Sequence, residues 1–348
     1  MRKLLTLAVT TYNAEKCLPR LLLSLGGQDF SKCSVCFSDD GSSDGTSTLI
    51  QAFAAEHPGV VDYSSHRNIG VGATRNLMLD TIESQYVWFI DHDDEIRPGC
   101  LTELVKVLEV TEPEILWMER VVFSEMPEGW PATESFEPRR VKHETMMALM
   151  DFPPWRKIYA VSLLKGAGVK FTRYFGEDVP QTLHAIACAQ RLFRIDAPVY
   201  RHLPQPTGIT LSPVSDWMMT TAPETLGEIR NLERQFPQYR ELLEFRAYEF
   251  IVWVLKYLRA QRKRVPDERK IEACILKFEG EFAEICGAGD NPYIEIAQRS
   301  RTELLEQRIR SLSEKVRQTK QAYQSSLSWR VTAPIRWMGM VLSRRGVT

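Results

Sequence analysis

The segment Tyr86-Val87-Trp88-Phe89-Ile90 is apolar at every position and is bounded by polar residues. Such a run fits a strand covered on both faces, as in a parallel sheet flanked by helices. Mostly apolar runs lie upstream at residues 4–9, 35–38 and 60–63. Helical patterns separate them. Leu18, Leu21, Leu22 and Leu25 share one face of a helix that Asn13 is placed to cap, and a second helix runs through Leu49, Ile50 and Phe53. A third carries Leu77, Leu79 and Ile82, and Pro98 opens a fourth through Leu101, Leu104, Val105 and Leu108. Strands separated by helices of this length need right-handed crossovers, so the first 120 residues predict a Rossmann-like, mostly parallel α/β sheet.

Downstream, the pattern predicts a strand over 115–123, a loop over 125–140, a helix over 143–150, a strand over 169–172, a helix over 178–189 and short strands over 192–200. Beyond Pro213 only helical patterns follow, dense in apolar residues over 242–258 and amphipathic over 271–282. The expected organisation is an α/β domain over 1–213, a helical appendage over 214–295, and a coiled coil with a basic amphipathic tail over 296–348.

The 44 Lys and Arg balance 45 Asp and Glu, which argues against a nucleic-acid partner. Seven cysteines at irregular spacing predict free thiols, and Cys33-x-x-Cys36 has no second pair at metal spacing. The first residues turn polar too soon for a signal peptide, and no window reaches the ~20 apolar residues of a membrane span, so the reading is a cytoplasmic chain. The tail differs. Leu305, Ile309, Leu312, Val316, Thr319 and Tyr323 recur at steps of four and three, the seam of a coiled coil that would pair two copies or dock on a partner. After Glu314 no acid occurs, and Trp329, Ile335, Trp337, Met338, Val341 and Leu342 stand among arginines. An acid-free, Trp-bearing segment too short to span fits a helix lying in the membrane interface. Packing on its own domain or a sister subunit is the alternative.

Two carboxylate clusters follow strands: Asp39-Asp40-Gly41-Ser42-Ser43-Asp44-Gly45-Thr46 and Asp91-His92-Asp93-Asp94. Open α/β sheets bind ligands at the carboxyl ends of their strands. Three carboxylates within four residues repel one another unless a cation or protons compensate, and Mg2+ or Mn2+ shared with phosphate oxygens would do so.

Together with Thr11-Tyr12-Asn13, Asn68-Ile69-Gly70 and Thr74-Arg75-Asn76, these clusters resemble, in order and spacing, the inverting family 2 glycosyltransferases of GT-A fold. The resemblance implies that Thr11 and Asp40 (or Asp39) meet the base and ribose of a nucleoside-diphosphate sugar, a UDP-sugar by preference. It assigns Asn68 and Arg75 to the nucleotide, and Asp91 and Asp93 to the ribose, donor sugar and a divalent metal. The chain departs from the family pattern at Thr10, where proline is usual, and at Ser38, where an apolar residue is usual. Trp155-Arg156-Lys157-Ile158-Tyr159 resembles a further family segment, which puts Lys157 in the donor site. Phe175-Gly176-Glu177-Asp178-Val179 resembles the element whose aspartate is the catalytic base, here Asp178, with Glu177 the competing assignment. His202 is a candidate third metal ligand or phosphate contact, set against a structurally bonded histidine. The ending SWRVTAPIR is similar to that of bacterial envelope-polysaccharide glycosyltransferases acting on lipid-linked glycans at the inner face of the cytoplasmic membrane. The rival expectation is a catalytically inactive scaffold of the same fold that recruits partner enzymes to the membrane.

Overall fold

The computed structural model describes residues 2–123, 129–131, 135–203, 215–261, 268–287, 291–295 and 297–298. Three β-α steps and a fourth strand open the chain: β1 (Leu5–Thr11), α1 (Leu18–Gly26), β2 (Cys33–Asp39), α2 (Thr46–Glu56), β3 (Val61–Ser65), α3 (Val71–Thr81) and β4 (Tyr86–Asp91). There follow β5 (Glu95–Ile96), α4 (Cys100–Thr111), β6 (Ile115–Met118), β7 (Val122–Phe123), β8 (Arg139–Arg140), α5 (His143–Leu149), β9 (Lys157–Ala160), α6 (Val161–Gly166) and α7 (Asp178–Cys188). β10 (Leu192–Ile195), β11 (Tyr200–His202), α8 (Asp216–Gln235), α9 (Arg240–Gln261) and α10 (Glu268–Gly287) complete the described elements.

Eight strands form one sheet in the order β3-β2-β1-β4-β9-β6-β10-β8. β1 to β4 run parallel, as do β6 and β10, while β9 is antiparallel to both β4 and β6 and β8 is antiparallel to β10. The apolar run of β4 is buried from Tyr86 to Ile90, consistent with a central strand covered on both faces. A second, three-stranded sheet, β5-β11-β7, follows directly on the acidic loop after β4.

Several expectations are corrected. β9 falls within the segment read from Trp155 to Tyr159, and its four residues are too few to show a period; pairing on both sides makes it a strand. The strand expected over 115–123 ends at Met118, and β7 joins the second sheet. Residues 169–172 form no strand. Their polar groups go to a side chain instead: Asn76 donates to the Phe171 carbonyl at 2.8 Å and accepts from the Phe171 amide at 2.9 Å. A Cβ on Gly72 would stand 2.0 Å from the Thr172 carbonyl oxygen, so glycine at this turn of α3 lets the segment dock. Gly72→Ala is expected to lower stability by about 1–3 kcal/mol, as overpacking does, which urea denaturation would measure. Asn13 does not cap α1, which starts at Leu18. Its backbone is left-handed (φ 46°), and its side chain accepts from the Ser43 amide at 2.9 Å, tying the loop after β1 to the loop after β2.

No disulfide joins any of the described cysteines. Cys33 and Cys36 lie three apart on β2 and therefore point to opposite sides of the sheet, where burial pushes their thiols up to about 12 and 11. No helix among the described residues is long and apolar enough to cross a membrane.

By its contacts the chain divides into Met1–Gly289 and Asp290–Thr348. In the first unit α8 packs on α7 and α9, and α9 also packs on α5. In the second, Asn291 accepts from the amides of Tyr293 and Ile294. Residues 125–128 and 132–134 of the loop expected over 125–140, and the coiled-coil seam and basic tail over 299–348, lie outside the described residues.

Candidate active site

The loops after β1, β2, β3 and β4 share one edge of the sheet because their strands are parallel and in order. Asp39, at the end of β2, is 2% exposed. It accepts from the Thr11 hydroxyl at 3.1 Å, from the Ser42 amide at 3.2 Å and from the Ser65 hydroxyl at 3.4 Å. Asp40 accepts from the amides of Ile69 and Gly70 at 2.7 and 2.9 Å. Both acids thus stitch neighbouring loops together, and Thr11 is turned onto Asp39. Gly41 has a left-handed backbone (φ 80°), and a Cβ there would lie 2.8 Å from the Asn68 amide nitrogen. Asn68 is held against this turn with its side chain exposed. Ser38, at the position where the family is apolar, pairs instead with the ring of His66, 3.2 Å from Nε2.

Asp91, Asp93 and Asp94 each bring a carboxylate oxygen within 4.8 Å of the other two. Their partners differ. Asp94 is fully buried and accepts from the Tyr200 hydroxyl at 2.6 Å, the Leu203 amide at 2.7 Å and the ring of His202 at 3.1 Å. The same Tyr200 oxygen accepts from the Asp91 amide at 3.2 Å. Asp91 accepts from Arg75 through one oxygen. Asp93 receives no bond from another described residue, and its pKa is pushed up to about 6, first by burial and then by Asp91 and Asp94. Three carboxylates this close, with Asp93 free of other bonds and Asp91 bonded through one oxygen, are a set that Mn2+ or Mg2+ would fit, with the free oxygens of Asp91 and Asp93 as ligands. His92, between them, donates from Nδ1 to the Thr10 carbonyl at 3.0 Å.

His202 belongs to the shell behind this cluster. Its Nδ1 faces Asp94, its ring stacks on Trp155 (centroids 5.3 Å, planes 14° apart), and Trp155 stacks on Tyr200 at 4.6 Å. Sequence reasoning missed Asp94 and Tyr200 as the pair that braces the acidic loop. The spacing of Asp94 from Asp91 was visible; the tyrosine, 106 residues on, was not.

The base candidates reach the same edge through Arg75. This arginine, 4% exposed, donates to Asp91 at 2.9 Å and to Glu177 at 2.8 Å, and its guanidinium carbon stands 5.2 Å from the centre of the Phe171 ring. Both of its terminal nitrogens are committed inside the protein. Glu177 precedes α7 and Asp178 is its first residue. Burial, and then the charge of Asp178, push Glu177 up to about 7 against the pull of Arg75. Asp178 is also raised, by burial first, with Arg75 and Lys157 opposing.

Lys157 is fully buried, and its ammonium donates to the carbonyls of Asp151, Phe152 and Pro153 at 2.6, 3.0 and 2.9 Å. Three carbonyl acceptors need all three of its protons, so it stays charged although burial lowers its pKa. It clasps the 151–153 loop and lends its charge to Asp178, and has no proton left for a nucleotide.

A mostly parallel sheet with its acids gathered beyond the ends of β2 and β4, and with β9 set antiparallel between β4 and β6, defines a GT-A fold. Residues 6–165 match the model of Glycosyl transferase family 2, and the chain carries a domain of that family. The processive diacylglycerol beta-glycosyltransferase of Mycoplasma pneumoniae is 24% identical over 212 residues, which cover 56% of this chain and 62% of the relative's length. TarS residues 1–349 from S. aureus, in complex with UDP-GlcNAc, superpose with a TM-score of 0.63 at 22% identity, covering 82% of this chain and 81% of that one. The mannosyltransferase PcManGT from Pyrobaculum calidifontis, in complex with GDP-Man and Mn2+, gives a TM-score of 0.53 at 17% identity over 95% of this chain and 87% of that one.

Proposed function

We propose that the chain transfers a sugar, with inversion, from a nucleoside diphosphate, a UDP-sugar by preference, to a hydroxyl of a polysaccharide or lipid-linked glycan. The observation that carries this reading is Arg75, which joins Asp91 at the end of β4 to Glu177, 102 residues later, and so brings the diphosphate end of the edge and the base into one cluster. TarS with its UDP-GlcNAc supports the uridine donor, and PcManGT with Mn2+ supports a divalent ion at Asp91 and Asp93. Such an ion, when bound, would neutralise charge on the diphosphate.

Asp178 takes the acceptor hydroxyl proton as that oxygen bonds to the anomeric carbon and the bond to the diphosphate breaks. One displacement inverts the carbon. Asp39 and Asp40 hold the nucleoside loops in place, while Thr11 and Asn68 lie on the same edge. The tail over 296–348 would hold the enzyme to the inner face of the cytoplasmic membrane, and its seam would pair two copies. A panel of UDP- and GDP-sugars incubated with the full chain and Mn2+ or Mg2+ tests the reading: metal-dependent donor hydrolysis is expected. Absence of any donor binding or hydrolysis would overturn it in favour of a scaffold.

A further inference from the structure

The helices after the sheet carry an aromatic cluster that the transfer chemistry above does not use. At its centre is Phe175, 2% exposed and stacked on Trp253 of α9 with centroids 5.0 Å apart and planes 8° apart. Trp217 of α8 meets Phe175 edge-on at 6.0 Å, and Tyr257 of α9 lies 6.2 Å away. Phe175 fills the middle, yet the two indoles are left in water, Trp217 43% and Trp253 37% exposed. Phe175 covers one face of the Trp253 indole, and Phe250 and Tyr257 lie 5.9 and 6.5 Å from its ring.

The cluster is tied to the reacting groups. The Phe175 amide donates to the Thr221 hydroxyl at 3.0 Å, and its carbonyl accepts from the Thr225 hydroxyl at 2.6 Å, both from successive turns of α8. Asp178 follows three residues later, a span of at most about 11 Å. The rim is polar: Lys270 and Asp216, both more than half exposed, pair at 2.8 Å beside Trp217.

We infer that Trp217 and Trp253 form an acceptor subsite that stacks saccharide rings and leads the chain of sugars toward Asp178. A pyranose has a face of C–H groups and an edge of hydroxyls. The C–H face packs on the electron-rich face of an indole, and the hydroxyl edge stays with water and a polar rim. A lipid tail would need a continuous apolar surface, which the Lys270–Asp216 pair interrupts. The inference rests on the transfer reading and deepens it: the acceptor is recognised as a glycan, several units deep, rather than by a lipid or a single hydroxyl.

Titrating the full chain with cellotetraose and chitotetraose while following tryptophan fluorescence tests it independently of turnover. At least one saccharide is expected to change the emission. Its apparent Kd should rise at least tenfold in Trp217→Ala and in Trp253→Ala, and stay within threefold in Trp253→Phe, which keeps a ring for stacking. Trp217 is exposed enough for its variant to fold, which a melting curve checks. No response to either saccharide, equal affinity in the alanine variants, or a response only to phosphatidylglycerol vesicles would each overturn the subsite. Saccharide binding through these indoles in a protein that hydrolyses no sugar nucleotide would overturn the transfer reading and leave the subsite standing.

Discussion

Arg75→Met is expected to lower the unfolding free energy by about 3 kcal/mol at pH 8 and to remove donor turnover. Methionine keeps apolar contact with Phe171 but leaves Glu177 and Asp91 without the cation that bridges them. Breaking a buried pair costs about 3–5 kcal/mol because the remaining charge has no partner. The lower end applies here, since the Asp91 side chain is 32% exposed and partly screened. Arg75→Lys should rescue little, because one ammonium does not reproduce a fork reaching two carboxylates.

The pH dependence has a definite sign. Burial raises Glu177 in the fold from the ordinary 4.5 to about 7. A raised carboxylate favours the folded state at low pH, and that contribution is lost as pH climbs from the unfolded value through about 7. Without Arg75, which pulls Glu177 down, Glu177 rises further. The deficit of Arg75→Met should therefore be largest above pH 7 and shrink toward pH 5, where Glu177 takes a proton. Urea denaturation at pH 5 and pH 8 measures this; equal stability of variant and wild type at pH 8 would remove Arg75 from the role given to it. Any residual turnover should have its acid limb moved to higher pH, since Asp178 must be ionised to act.

Asp178→Asn is the second variant with a large expected effect. An amide cannot accept the acceptor proton, so transfer should fall by about 10²–10⁴-fold, the usual contribution of a general base. Stability should be no lower than wild type, because burial raises the pKa of Asp178 and makes its charge costly in the folded state. Glu177→Gln should lose less activity, its oxygen serving Arg75. Full activity in Asp178→Asn, or an equal loss in Glu177→Gln, would pass the base to Glu177 or to water.

Much of the frame was legible. β1, β2 and β4 announce themselves as mostly apolar runs, and each is followed by its polar loop, so the acids land at the strand ends by chain order alone. β9 was not legible, because four residues between two parallel strands carry no period of their own. Residues 169–172 read as a strand, but the amide and carbonyl of Phe171 are satisfied by Asn76, a side chain that no pattern over those residues contains. Arg75 was assigned to the nucleotide, and the fold turns its two terminal nitrogens onto Asp91 and Glu177. Its partners lie 16 and 102 residues away.

What the sequence by itself determined is where carboxylates occur relative to strands, since that is a property of neighbours along the chain. What each carboxylate can do was decided only in three dimensions. Its lone pairs go to whichever donors the fold brings within about 3 Å. Asp39 and Asp40 are taken up by the hydroxyls and amides of adjacent loops, and Asp94 by Tyr200, His202 and Leu203. Asp93, on the same four-residue stretch, meets no donor from another described residue, and that difference marks it as the acid left for a ligand from outside the chain.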